Sequence, residues 1–253
     1  RDLHLSLRRQ RQMCIRDRGQ GSAIAFNVLY AGRYKLGVSA AAGAKICVNL
    51  SYDFANEREQ FSRKISEFAM MKRKIADMFV KSWEADSLKY MTCGSIDESI
   101  KDFDKEDDNY FEKVQKVIED HAIEASICKV VGSEALAYNV DEGVQVHGGA
   151  GFIEDYPICS MYRDERINRI FEGTNEINRL LSIGMIMKRA MKGEIDLMSA
   201  AMQLQQDLMN DTYSNGQENQ SVLKEAEHRV NMAKKSWLLV AGSAAQTLMA
   251  KLE

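Results

Sequence analysis

Glu172 is the side chain of this sequence whose surroundings best suit acid–base chemistry. Residues 171–174 read Phe-Glu-Gly-Thr, and apolar residues recur at helical spacing over 177–183. Threonine commonly caps helix N-termini, so this order predicts a turn that carries a carboxylate, a Thr174 cap and then a helix. A glutamate in such a turn can act as a base. Alternatively, it only stabilises the positive end of the helix, an effect worth about 0.3–1 kcal/mol.

Three glycines, Gly148, Gly149 and Gly151, precede that turn in the chain. Glycine has no Cβ and readily adopts φ > 0, so a glycine-rich backbone can approach a flat or phosphorylated ligand closely. A plain helix-terminating turn is the alternative interpretation. The cluster therefore predicts a ligand-binding stretch of backbone upstream of the candidate base.

Together with two earlier segments, these residues resemble the acyl-CoA dehydrogenases. The family's Gln-x-x-Gly-Gly element stands at 145–149, and its (Tyr/Phe)-Glu-Gly-Thr turn stands at 171–174. Its Arg-x-x-Phe-Gly element stands at 58–62, with Ser62 in place of the glycine. Residues 27–33 resemble the start of the preceding helix, where an arginine faces acyl-CoA. The resemblance extends from about Ala23 to Met187, with weaker support onward, and is closest to very-long-chain members.

This resemblance implies a role for each matching residue. Glu172 would remove the α-proton of a fatty acyl thioester while the β-hydride passes to FAD, and Arg33 and Gly173 would contact the substrate. Arg58 would contact the flavin pyrophosphate, because a planar guanidinium suits phosphate, although an exposed surface charge is the alternative. Phe61 would stack on adenine or pack in the core. The FAD-binding residues would be Arg58, Gln60, Phe61, Gln145, Val146, His147, Gly148, Gly149, Thr174, Asn175 and Glu176.

Composition excludes several other kinds of site. The net charge of −3 and the pI near 5.9 give no sign of a nucleic-acid or membrane surface. Five cysteines and four histidines are scattered without metal-ligand spacing, so we expect no metal site. Reduced thiols favour an intracellular compartment. We expect the bacterial cytoplasm, or the mitochondrial matrix if the source is eukaryotic.

The chain has one proline and long periodic stretches, which favour an all-α, up-and-down helical bundle with a truncated helical tail. Cys93 to Asp108 is polar and acidic and predicts a solvated loop. The helices are expected at about Gly21–Phe54, Glu57–Tyr90 and Tyr110–Asn139, then as a short helix to Ile170 and another from the Glu172 turn to Lys192.

Three segments are expected along the chain. Residues 1–18 contain six arginines and two aspartates, and we interpret them as non-native, adapter-derived sequence in preference to a targeting peptide. Residues 19–192 are expected to form the family's C-terminal helical bundle, and 193–253 a partial helical extension. The resemblance also implies homo-oligomers, an electron-transfer flavoprotein as electron acceptor, and a fragment that is inactive without the family's other domains. An acyl-CoA oxidase and a non-catalytic helical interaction module remain as alternatives.

Overall fold

The all-α prediction is confirmed by a computed structural model, which describes residues 21–209 and 221–249. Within these residues the chain forms eight α-helices and one β-hairpin whose two strands have two residues each. The elements are α1 (Gly21–Glu57), β1 (Glu59–Gln60), β2 (Arg63–Lys64), α2 (Ala69–Ile100), α3 (Tyr110–Asp120), α4 (Ala122–His147), α5 (Pro157–Glu165), α6 (Asn175–Met191), α7 (Leu197–Met209) and α8 (Val222–Met249). Short 3₁₀ turns cover Ile65–Glu67, Gly148–Phe152 and Arg166–Arg169.

Helices α1 and α4 pack with their backbones in direct contact. A Cβ added to Gly37 would lie 2.5 Å from the carbonyl oxygen of Cys128, and one added to Gly132 would lie 2.6 Å from that of Gly37. The core continues from this crossing toward α2 and α5 through the buried residues Ala40, Ala44, Cys47, Val48, Met78, Leu136, Val140 and Ile158. Small side chains at helical spacing on α1 and α4 thus allow close approach.

A buried amide connects α1, α2 and α4. Asn139 of α4 donates from Nδ2 to the carbonyls of Ala44 and Met78, both at 3.1 Å, and to Ser82 Oγ at 2.8 Å. These partners lie on α1 and α2. A buried donor bonded to several elements favours one arrangement of its neighbours, so the Nδ2 group of Asn139 helps to align α1, α2 and α4.

The hairpin corrects the predicted second helix, which does not begin at Glu57. Strands β1 and β2 pair antiparallel, and the two residues between them, Phe61 and Ser62, have φ of 54° and 63°. Two consecutive left-handed residues are typical of tight hairpin turns, and this turn separates α1 from α2. The apolar spacing over 61–79 predicted a helix too early, because it does not distinguish a short hairpin from a first helical turn.

Two other predicted boundaries are also wrong. Helix α2 continues to Ile100, so residues 93–100 are helical and not part of a loop. The predicted third helix is broken at His121, whose backbone has φ −97° and ψ 17°. The His121 ring bonds Ser95 Oγ at 2.9 Å and the Val117 carbonyl at 2.8 Å, so contact with α2 holds the break. Helix α4 then runs on through residue 147.

The chain divides into two compact units, one ending at Ser182 and the other beginning at Ile183. In the second unit, α7 and α8 pack closely, and a Cβ on Gly242 would lie 2.5 Å from that of Ala201. The expected non-native segment 1–18 lies outside the described residues. The expected boundary after residue 192 stays a prediction. None of the described helices has the length and hydropathy that crossing a bilayer requires.

Candidate functional site

Glu172 lies in a turn whose backbone is left-handed at two successive positions. Its φ is 56°, and that of Gly173 is 82°. A non-glycine residue in this region costs about 1–3 kcal/mol and persists only where its surroundings hold it. The turn leads directly into α6. Something outside the local sequence must therefore hold this carboxylate in place.

Three buried side chains bond the carbonyl oxygens of the turn. Arg33 of α1 donates from Nε to the Glu172 carbonyl at 2.9 Å, and Lys129 of α4 donates from Nζ to that of Gly173 at 2.8 Å. Asn178 of α6 donates from Nδ2 to the carbonyls of Gly173 at 2.8 Å and Thr174 at 3.1 Å. Side chains from three helices therefore satisfy the turn.

The Glu172 carboxylate lies against the backbone of α1 at Gly32. A Cβ added to Gly32 would be 2.8 Å from Glu172 Oε2 and 3.0 Å from Oε1. Within the described residues, Oε2 and the Nη1 atom of Arg33 are both buried without a hydrogen-bond partner. Buried polar atoms are nearly always bonded in native proteins. An unused acceptor on Glu172 and an unused donor on Arg33 therefore mark a place where a polar ligand could bind.

Burial also affects the charge of Arg33, whose side chain is 5% exposed. Desolvation lowers the pKa of its guanidinium, while the charges of Tyr30 and Glu172 act in the opposite direction. The Arg33 guanidinium also lies 5.5 Å from the centre of the Tyr30 ring. A permanently charged, partly desolvated donor thus stands beside the candidate base.

The predicted Thr174 cap is confirmed, since Ile177 donates its backbone N–H to Thr174 Oγ1 at 3.3 Å. Asn175 is buried, and its Oδ1 accepts from Lys129 Nζ at 2.6 Å. Its amide nitrogen donates to Ser133 Oγ and Glu134 Oε1, so its side chain is engaged within the protein. Glu176 is exposed. A hydrogen bond from its own backbone N–H, and a second one from the Thr174 hydroxyl, lower the pKa of its carboxyl.

Residues 174–176 line a polar cleft of about 950 Å³ beside the turn. Acidic and basic side chains from α4, α5 and the following 3₁₀ turn complete it: Glu134, Asp141, Glu165, Arg163, Arg166 and Arg169. Glu165 is 4% exposed, and desolvation raises the pKa of its carboxyl, although Arg169 opposes this. The first turn of α6 therefore faces a space large enough for a charged ligand.

A second cleft, of about 360 Å³, brings together most of the residues predicted to hold the flavin. It lies where the hairpin meets the C-terminal end of α4. The predicted residues that line it are Arg58, Gln60, Phe61, Val146, His147, Gly148 and Gly149. Gln145 is exposed on α4 outside the lining. Phe61 is 87% exposed, so the alternative that it is a core residue is wrong.

His147 supports the wall of this second cleft. Its ring stacks on Phe54 with centroids 4.3 Å apart, and its Nδ1 bonds the Gly143 carbonyl at 2.7 Å. Burial lowers the pKa of the His147 imidazole. Beyond it, Gly148 has φ of 59°, and a Cβ at Gly148 or Gly149 would meet no atom within 4 Å. The glycines end a helix and also leave open space.

The Glu172 turn and the second cleft are separate, and the two clefts share no lining residue. The sequence interpretation missed two residues that hold the turn, Lys129 and Asn178. Lys129 could have been noticed, because it lies four residues after Ala125 and three before Gly132, on the small-residue face of α4. The described residues contain no group of His, Cys, Asp and Glu that could hold a metal ion.

Lys129 should make stability depend on pH. Desolvation lowers the pKa of its ammonium from 10.5 to about 8, against the opposing charge of Glu176. Between these values the unfolded chain binds more protons at this group than the folded chain, so the free energy of unfolding should rise with pH. Lys129→Met removes this contribution. Urea denaturation should therefore show wild type gaining stability relative to the variant between pH 8 and 10, whereas a constant difference would contradict the assigned burial.

Comparisons with known proteins show the family to which the chain belongs. The model of the family "Acyl-CoA dehydrogenase, C-terminal domain" matches residues 19–190, more than half of the chain. The chain belongs to the acyl-CoA dehydrogenase family. A probable acyl-CoA dehydrogenase of Bacillus subtilis is 43% identical over 228 residues, which are 90% of this chain and 38% of that protein. The rat mitochondrial very long-chain specific acyl-CoA dehydrogenase is 35% identical over 162 residues, covering 64% of this chain and 22% of that protein.

A solved structure shows that the similarity includes the fold. An acyl-CoA dehydrogenase from Bacillus anthracis, complexed with FAD, is 46% identical with a TM-score of 0.85. The alignment covers 90% of this chain and 38% of that protein. The chain therefore spans well under half the length of the relatives it matches, and residues 19–190 correspond to the family's C-terminal domain.

Proposed function

We propose that this chain supplies the general base of an FAD-dependent acyl-CoA dehydrogenase that acts on fatty acyl thioesters. The observation that carries the proposal is the Glu172 turn, in which the carboxylate lies over Gly32 and is held by side chains of three helices. A base gains its catalytic effect from being fixed within reach of the proton it removes. Its unused Oε2 acceptor is the atom that would take that proton.

The proposed reaction removes hydrogen from the α and β carbons of the acyl chain. Glu172 takes the α-proton, and FAD, when bound, accepts the β-hydride as an electron pair with its proton. Arg33, which bonds the Glu172 carbonyl, has an unused Nη1 donor that suits an acceptor oxygen of the substrate.

The second cleft has the features that the ADP part of FAD requires. Arg58 offers a guanidinium for the pyrophosphate, and the exposed Phe61 ring offers a stacking surface for adenine. The open backbone at Gly148 and Gly149 allows close approach. In the family this part of the flavin often belongs to a neighbouring subunit, and we propose that the second cleft binds it in the same way. Homo-oligomers would then be required for activity.

Other parts of the proposal rest on the family alone. The electron acceptor would be an electron-transfer flavoprotein, and the compartment would be the bacterial cytoplasm, or the mitochondrial matrix in a eukaryote. An acyl-CoA oxidase would share the same base but pass its electrons to oxygen. A helical interaction module would use neither the base nor the cleft.

Purified alone, the chain should be nearly colourless and inactive, because it spans 38% of its relatives' length. A chimera should behave differently: residues 21–249 replace the matching segment of the Bacillus subtilis relative. We expect the chimera to retain yellow flavin, and its visible absorbance to bleach when a long-chain acyl-CoA is added without oxygen. Retained flavin and bleaching in the chain alone would contradict the first expectation.

Slow reoxidation of the reduced chimera in air would separate a dehydrogenase from an oxidase. A chimera that folds and holds flavin but does not bleach would leave only the interaction module.

A further inference from the structure

A lysine is buried beneath the Glu172 turn, although no motif draws attention to it. The Lys129 side chain is 0% exposed, and its Nζ donates to the Gly173 carbonyl at 2.8 Å and to Asn175 Oδ1 at 2.6 Å. A buried ammonium is costly unless acceptors surround it. Hydrophobic packing alone would be served better by an apolar residue, so this position has some other use.

The charges around Lys129 come from the turn and from three helices. Its amine interacts electrostatically with Glu172 of the turn, Glu176 of α6, Glu134 of α4 and Arg33 of α1. Three of these four groups are carboxylates, and one is the proposed base. Carboxylates on the turn, on α4 and on α6 therefore surround the buried amine of Lys129.

The hydrogen bonds of Lys129 connect more elements than those of Arg33 and Asn178, the other two residues that bond the turn. Asn178 belongs to α6 and moves with the helix that follows the turn. Arg33 holds the Glu172 carbonyl to α1. Lys129 joins both Gly173 and the first residue of α6 to α4, and α4 itself packs backbone to backbone on α1. Hydrogen bonds therefore hold the turn to both α1, which carries Gly32, and α4, which packs on α1.

We propose that Lys129 is a positioning residue for the base, holding the turn so that the Glu172 carboxylate stays over Gly32. It touches neither the reacting carbon nor the flavin in this role. The inference rests on the proposed function, because a position matters only if Glu172 is the base. It deepens that function by naming the group that sets the orientation of the carboxylate.

Lys129→Met in the chimera tests this, since methionine keeps the length and apolar character of the side chain but removes the donors. We expect kcat to fall about 10- to 100-fold, the cost of a misplaced catalytic group. The KM for acyl-CoA and the flavin content should stay within about twofold, because neither binding surface includes Lys129.

The matched control is Ser126→Ala, one turn earlier on α4. Ser126 is also 0% exposed, and its hydroxyl bonds only the Ala122 carbonyl among the described residues. It should lose some stability but keep the wild-type kcat and the wild-type KM for acyl-CoA. A Lys129→Met variant that matches Ser126→Ala in kcat would overturn the inference.

Two further variants keep the test decisive. If Lys129→Met does not fold, Lys129→Gln takes its place, with a shorter neutral donor and an expected fall in kcat of about 3- to 30-fold. A wild-type kcat in Lys129→Gln would overturn the inference. Glu172→Gln separates the two proposals: if it retains turnover, the proposed function fails, whereas full loss there with unchanged Lys129 variants removes the positioning role alone.

Discussion

Glu172→Gln in the chimera should lower kcat by about 10²–10⁴-fold, the usual contribution of a positioned general base. Glutamine keeps the size of the side chain and can occupy the same left-handed turn, whose carbonyl bonds come from Arg33, Lys129 and Asn178. The flavin should remain bound, because the second cleft does not include residue 172. Stopped-flow bleaching of the flavin after acyl-CoA is added measures the chemical step directly.

Glu98→Gln is the matched control for this change. Its carboxylate is 69% exposed and pairs with Lys101 at the far end of α2, so loss of one carboxylate there should leave bleaching unchanged. Equal bleaching rates in wild type and Glu172→Gln would rule out Glu172 as the base. A slow rate combined with lost flavin would instead place Glu172 in cofactor binding, contrary to the proposal.

Gly32→Ala should lower kcat by about tenfold or more while leaving the fold intact. The new Cβ would lie 2.8 Å from Glu172 Oε2, so the carboxylate must move away by several tenths of an ångström. Misplacement of about 1 Å can cost roughly 100-fold in rate. Alanine is favoured over glycine inside a helix by up to about 1 kcal/mol, so the melting temperature should not fall. Activity should therefore fall without a loss of thermal stability.

Gly94→Ala supplies the control, because it is the same substitution in the interior of α2 with no atom within 4 Å of the new Cβ. It should keep full activity and gain similar helix stability. If Gly32→Ala matches it in kcat, then the carboxylate is not held against α1 during the reaction. A larger residue, as in Gly32→Val, should deepen the loss, and thermal unfolding followed by circular dichroism checks that the helices remain.

Much of the fold could be read from the sequence because its signals are local. Apolar spacing and the scarcity of proline are enough for an all-helical chain, and α1 and α6 begin and end close to their expected positions. The Thr174 cap depends only on a hydrogen bond to Ile177, three residues later in the chain. These features depend on neighbours in sequence, which is the information that periodicity contains.

The missed features depend on contacts across the fold. The break at His121 is held by Ser95, 26 residues away, and histidine itself is compatible with a helix. The hairpin at Phe61 and Ser62 needs two left-handed residues that are not glycine. Lys129 reaches its acceptors only because α4 lies beneath the turn, 44 residues along the chain. Motifs located the candidate site, but they could not reveal which residues orient it.

The contact between Gly37 and Gly132 has a consequence for how this site can evolve. Where two helices meet through side chains, a neighbour can repack to absorb a substitution. Here main-chain atoms meet main-chain atoms, so an added methyl group must push the helices apart. Arg33 lies one turn from this contact on one helix and Lys129 one turn from it on the other. Because the two backbones touch, larger residues at this crossing are not tolerated by themselves. Substitutions there would require compensating changes on both α1 and α4.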